Sequence, residues 1–164
     1  MQHMSRPLLL PFVVCLLFSS VTFAQRKVDK NAHFKRVYPV ANEQLAAKKA
    51  ARSVKNFLDL HELDPMNAHI NYKVGISYWL LNGQKHEAVA YLEKAVVHTS
   101  SKAKENYKET DAPLDAYFYL GRAYHLDSQF DNAIAAYRKY LTTDKTLDKE
   151  RKAEIEWMIQ TCLN

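Results

Sequence analysis

Residues 117–140 read Tyr117-Phe118-Tyr119-Leu120-Gly121-Arg122-Ala123-Tyr124-His125-Leu126-Asp127-Ser128-Gln129-Phe130-Asp131-Asn132-Ala133-Ile134-Ala135-Ala136-Tyr137-Arg138-Lys139-Tyr140. The decisive spacing is Tyr117-x2-Leu120-Gly121-x2-Tyr124-x8-Ala133-x3-Tyr137-x2-Tyr140. Large side chains recur at three- and four-residue intervals on both sides of Asp127-Ser128-Gln129, which predicts two helices joined by a polar turn. Such a pair cannot bury its apolar face alone, so the flanking chain is expected to supply further pairs that stack on it.

This spacing resembles the tetratricopeptide repeat (TPR), a helix–turn–helix unit of about 34 residues. A second unit, about 67–98, carries Asn71-x2-Val74-Gly75-x2-Tyr78, then Asn82-Gly83, then Ala88-x3-Leu92-x2-Ala95. Gly75 and Ala88 allow close helix approach, and Tyr78 and Leu92 fill the space between. A first, degenerate unit, about 39–65, ends at Ser53-x3-Phe57-x2-Leu60-x4-Pro65. Pro39 sits where a standard repeat has mid-helix, so this unit reads either as a pair with a tight turn near Lys48–Ala51 or as one long helix. The repeat quoted first spans about 113–145. The polar residues 99–112 between it and its predecessor are an insertion, either a loop or a solvated helix extension. Ile155, Met158, Ile159 and Cys162 fall on one face of a closing helix over 148–163, which is expected to cap the stack.

The first 24 residues do not read as fold. A short n-region with Arg6, the apolar run Leu8–Phe18 and a small, polar close ending at Ala24 have the order of a secretory signal peptide. That run is too short to span a bilayer, which takes ~20 residues as helix. Removing it lowers the formal charge from +5 to +4 and leaves Cys162 as the one cysteine, so no intramolecular disulfide forms. The thiol is then either buried or paired with another chain. Residues 25–38 are polar and basic and read as a flexible arm. Positive charge spread along the chain, without a clustered basic face, argues against nucleic acid as a partner.

A narrower likeness rests on Glu62-Leu63-Asp64-Pro65, Asn71-Tyr72-Lys73-Val74-Gly75, Tyr91-Leu92-Glu93-Lys94-Ala95 and Ala112-Pro113-x-Asp115-Ala116-Tyr117-x-Tyr119-Leu120-Gly121-x-Ala123-Tyr124-His125. In this order they resemble the N-terminal TPR region of OmpA-family, β-propeller cell-envelope proteins of gliding-type Gram-negative bacteria. Some members of that family serve secretion or gliding machinery. The resemblance implies an exported chain, periplasmic or associated with the outer membrane. This sequence stops at Asn164, short of the family's propeller and peptidoglycan-binding domain, so peptidoglycan binding is not implied.

TPR proteins line their concave wall with positions 2, 5, 9, 12 and 13 of each first helix. By the resemblance these are His69, Tyr72, Ile76, Trp79 and Leu80 in the second repeat. In the third they are Asp115, Phe118, Arg122, His125 and Leu126. Aromatics and Arg are frequent interface anchors, which suggests a groove for a protein or peptide. The alternative is that the short stack packs its own arm, insertion or cap against these residues. Tyr72 and Ile76 replace the Lys and Asn of carboxylate-clamp TPR domains, so acidic chaperone C-termini are not expected ligands.

Catalysis finds no foothold. His86-Glu87-Ala88-Val89-Ala90 lacks the second His of a zinc-protease helix. Gly75-Ile76-Ser77-Tyr78-Trp79 lacks the closing Gly of a nucleophile elbow. The seven histidines show no ligand spacing, and three glycines make no phosphate-binding loop. The expectation is an all-α TPR superhelix with a capping helix, without cofactor, metal site or transmembrane segment in the mature chain. It would act as a non-catalytic adaptor in an envelope assembly. The alternative is a split relative of a larger OmpA-like protein that acts only by joining its assembly.

Overall fold

A computed structural model describes residues 29–81 and 84–164. The signal-peptide reading of 1–24 and the Asn82-Gly83 turn lie outside these residues. The described chain holds seven α-helices: α1 (Lys30–Ala46), α2 (Ala50–Leu63), α3 (Ala68–Trp79), α4 (Lys85–Ala95), α5 (Asp115–Leu126), α6 (Phe130–Thr143) and α7 (Lys149–Leu163). Each packs on its neighbours in sequence. Short connections inside α1/α2, α3/α4 and α5/α6 make these antiparallel pairs, and α7 closes the stack against α6.

The basic segment 25–38 does not stay an arm. From Lys30 onward it is helix, because Phe34, Val37, Tyr38 and Ala41 recur at helical spacing and are buried. Its polar composition belongs to the other faces. Asp29 caps the helix, its Oδ1 accepting from the backbone N–H of Asn31 and Ala32 at 3.0 and 3.2 Å. Pro39 lies inside α1 rather than at a helix start. An interior Pro costs about 3 kcal/mol or more. Here Pro39 and Lys35 are both exposed, so the carbonyl that loses its donor faces water.

The first unit is therefore a pair, not one long helix. The turn passes through Lys48 at φ 55°, a left-handed conformation, and α2 begins at Ala50. Ser128 plays the same part between α5 and α6 at φ 61°.

Two close approaches set the spacing of the later pairs. A Cβ on Gly75 would stand 2.5 Å from Leu92 Cγ, and one on Gly121 would stand 2.5 Å from Cδ1 and Cε1 of the Tyr137 ring. Core side chains gather in three successive clusters. Phe57, Leu60 and Ile70 join α1 to α2 and α3. Ala88, Leu92 and Leu120 join α3 to α4 and α5. Tyr137, Tyr140, Ile155 and Ile159 join α5 to α6 and α7. Cys162 is buried in the last of these, and burial pushes its thiol pKa up.

Residues 96–114 form a loop, not an extension of α4. Its base is zipped by Ser100 N–H to Ala112 O at 2.8 Å and Ala112 N–H to His98 O at 2.9 Å. The loop then folds back on the stack, with His69 N–H donating to Thr110 O and Asn67 Nδ2 to Glu109 O. That cover helps explain why every residue of α3 from Ala68 to Ser77 is buried, as expected of a helix packed on all sides.

Gly121→Ala is expected to destabilise the protein by up to about 2 kcal/mol, since overpacking of about 1–3 kcal/mol is only partly offset by the ~1 kcal/mol gained in helix propensity. Gly75→Ala should cost less: Leu92 and Tyr137 are both fully buried, but the branched aliphatic chain can adjust its χ angles whereas the planar ring, met at two of its atoms, must shift as a unit. Urea unfolding of both variants checks the ranking, and a larger loss at Gly75 would contradict it.

Candidate functional site

The first helices of the pairs, α1, α3, α5 and α7, form one wall, and its two halves differ. In the N-terminal half, α3 presents Lys73 beside Tyr38 and Asn42 of α1. Lys73 Nζ is 2.6 Å from Glu105 Oε2 and 3.1 Å from Asn42 Oδ1. Tyr38 donates its hydroxyl proton to Glu105 Oε1, and the same hydroxyl lies 2.7 Å from His69 Nε2. Glu105 comes from the inserted loop, so the loop lies across this half of the wall.

The electrostatics follow from burial. Desolvation pulls the Glu105 carboxyl pKa upward, but the His69 ring 3.7 Å away and hydrogen bonds from Lys73 and Tyr38 outweigh it and bring the pKa down to about 2. Lys73 responds in the other sense. Desolvation lowers its pKa, and pairing with Glu105 recovers only part of the loss. The difference is one of depth: the Lys73 side chain is 6% exposed and that of Glu105 is 54% exposed. Burial, the Glu105 hydrogen bond and nearby acids raise the Tyr38 phenol pKa well above its ordinary value.

In the C-terminal half the wall is open. The Arg122 guanidinium stacks 4.5 Å over the Trp79 ring and pairs with no carboxylate among the described residues. Arg122, His125, Leu126, Tyr137, Trp157 and Met158 line a cleft of about 180 Å³ between α5 and α7. Leu126 is 44% exposed and Trp157 is 65% exposed. Trp79 Nε1 is buried without a partner.

The residues expected to form one continuous binding face are thus divided. His69, Tyr72, Ile76 and Phe118 are buried, which corrects their reading as open contact residues. Tyr72 packs edge-on against Tyr119. His69 stacks on Tyr38. Phe118 lies under the Arg151 guanidinium at 3.7 Å. Asp115 accepts from the Tyr140 hydroxyl. Trp79 and Leu80 are half-buried, and Trp79 meets Tyr119 edge-on. His125 is half-buried against Phe130. The structure brings Arg122, His125 and Leu126 together at the cleft.

Trp157 was absent from the sequence reading, which took from α7 only its buried stripe. A signal was present. Trp157 follows its N-cap Asp148 by the same nine positions that separate Ile76 from its N-cap Asn67.

Residues 115–144, which are α5 and α6, match the tetratricopeptide repeat family model. About four fifths of the chain superposes on solved TPR-type structures. The fold is that of a TPR superhelix. The type III secretion translocator chaperone SycD of Yersinia enterocolitica aligns at TM-score 0.62 and 17% identity, over 79% of this chain and 83% of that one. The first TPR domain of human RPAP3 aligns at 0.62 and 15%, over 82% and 98%. The TPR2B domain of yeast Sti1, in complex with pHsp70, aligns at 0.62 and 15%, over 80% and 97%. No curated protein matches the chain.

Among the described residues no cluster of three His, Cys, Asp or Glu side chains is placed to hold a metal, and no helix is long and apolar enough to cross a membrane.

The depressed carboxyl of Glu105 has a pH consequence. A group whose pKa falls on folding stabilises the fold above its unfolded value and loses that contribution as pH falls through the folded value. For Glu105 the window runs from 4.5 down to about 2. The Tm of the wild type should therefore fall more steeply across this window than that of Glu105→Gln, and the two curves should converge at its lower end. Parallel curves would show that the Glu105 carboxylate does not stabilise the fold.

Proposed function

We propose that the chain is a non-catalytic protein-binding module, exported to the periplasm or outer-membrane face and acting as an adaptor in a cell-envelope assembly, with secretion or gliding as the setting the sequence resemblance suggests. The observation that carries the binding reading is the open cleft between α5 and α7. There an Arg122–Trp79 stack without a carboxylate stands beside the exposed Trp157 and Leu126. Trp and Arg side chains on a concave face are the residue types that dominate binding energies. The TPR fold supports the reading, since stacked repeats present extended concave surfaces for partners. Two fold neighbours are a translocator chaperone and a domain in complex with pHsp70. Export rests on the leader-like order of residues 1–24.

The cleft suits a short segment that offers an apolar side chain to Trp157 and Leu126 and a carboxylate to Arg122, which favours bidentate pairing. Of the two routes in the rival reading, assembly through Cys162 or through the cap helix, the first is weakened by the burial of that thiol between α6 and α7.

Crosslinking in the native envelope followed by mass spectrometry tests the reading. Trp157→Ala and Arg122→Ala should each reduce capture of the same partner at least about tenfold, the equivalent of ~1.4 kcal/mol, with helicity unchanged. Undiminished capture by both variants would remove the cleft as the binding surface.

A further inference from the structure

We propose that residues 98–112 are an internal ligand of the wall. In this view Tyr38, Asn42, His69 and Lys73 form a carboxylate-binding site, filled by Glu105 in the free protein and by an acidic segment of a partner in the bound one. The partner's part rests on the protein-binding reading above; the site itself does not.

The site is built from one side only. Its donors stand on two helices, Tyr38 and Asn42 on α1 and His69 and Lys73 on α3. Tyr38, His69 and Lys73 are 4%, 2% and 5% exposed. The anion does not come from the helical frame. Glu105 arrives on a surface loop and its side chain stays half exposed. A lysine held this deep needs an anion, because an unpaired buried charge is costly. The helices therefore create a demand for a carboxylate that the loop meets from outside.

The loop is attached in a way that lets its tip leave. Its base is held by the His98–Ala112 zipper and by Thr110 O and Glu109 O on α3 and its N-cap. Nearer the tip, the backbone bonds are local turns: Ala103 N–H to Ser100 O, Asn106 N–H to Lys104 O and Glu109 N–H to Asn106 O. Glu105 supplies the charged contact to the wall. Withdrawing the tip breaks the hydrogen bonds of Tyr38 and Lys73 to Glu105 and the packing of Tyr107 on the α1 cluster, but no backbone hydrogen bond within α1 or α3.

The loop also underfills the site. A cleft of about 440 Å³ lies beside Glu105, bordered by Tyr38, Pro39, Asn42, Glu43 and Tyr107. The Tyr38 hydroxyl has one proton and gives it to Glu105, so it accepts from His69 Nε2–H. His69 Nδ1 is then left buried and unpartnered. The remaining charged neighbours are Glu43 at the rim of the cleft and Glu109 on the loop. Lys73 is thus the positive charge that selects a carboxylate, and the adjacent space admits a longer segment than the loop tip.

The first arm of the test removes the internal carboxylate. Glu105→Ala should melt at a lower temperature than the wild type. Sodium acetate, the free carboxylate that matches the fragment Glu105→Ala removes, should then raise its Tm by about 3 °C or more, while sodium chloride of equal ionic strength does not. Wild type and the double variant Glu105→Ala/Lys73→Met should not respond. The second arm uses the near-isosteric Glu105→Gln chain and a labelled synthetic peptide copying residues 98–112. This peptide should bind Glu105→Gln at least tenfold better than it binds wild type. The same peptide with Gln at the Glu105 position should bind neither. Acetate acting no differently from chloride, or equal binding of the two peptides, overturns the proposal. Neither arm uses the partner, so the result is independent of capture at the Trp157 cleft.

Discussion

The closeness of the helices within a pair is the constraint from which the rest of the structure follows. At Gly121 the helix has no side chain, and the ring of Tyr137 occupies the space a Cβ would take. Leu92 does the same at Gly75. Protein interiors are packed too densely for such a notch to stay empty or to accept another methyl group. The notch fixes the separation and the rotation of the two helices together, and so decides which face of α3 and of α5 is left for the wall. Ala88 and Ala133, both fully buried, keep the partner helices small enough to come that close.

A second constraint is electrostatic and acts on the wall itself. Lys73 lies on the most enclosed helix of the stack, where its charge is stable only with an anion beside it. The insertion after α4 provides that anion, at the cost of covering the N-terminal half of the wall. Length alone would have been tolerated at this position, since loop entropy grows slowly with residue number. The loop's chemistry, with Glu105 reaching Lys73 and Tyr107 packed on the α1 cluster, is what turns it from a surface excursion into part of the wall.

Legibility in the sequence followed the same physics. The second and third pairs were readable because a close approach demands Gly or Ala at fixed offsets from large side chains, a pattern local to about 34 residues. Helix α1 was hidden because Phe34, Val37 and Tyr38 are few among many basic neighbours, and because Pro39, here an exposed interior residue, is a residue type that normally breaks a helix. The site was less legible than the fold. Positions within a repeat predict which residues point along the wall, but not whether something lies on them. His69 faces Tyr38 and the Glu105 loop, and Tyr72 faces the ring of Tyr119, contacts made across long sequence separations. Trp157 was overlooked because the burial pattern of α7 identifies its packed side and says nothing of its exposed one.

The two halves of the wall therefore ask for related chemistry by different means. The N-terminal half holds a desolvated cation and satisfies it internally. The C-terminal half keeps Arg122 on the face of Trp79, where the π-system stabilises the guanidinium while leaving its N–H groups available. Arginine tolerates this arrangement better than lysine would, being more weakly hydrated and planar. The spacing between the two cations is bridged by Tyr72, Tyr119 and Trp79, which pack edge to face along the wall. A segment carrying carboxylates on either side of an apolar stretch would meet Arg122 at once and Lys73 only after Glu105 had withdrawn. Occupying the open half first would place the second carboxylate at high local concentration next to the filled one, so on the proposed reading the inserted loop would set an order of engagement rather than a simple block.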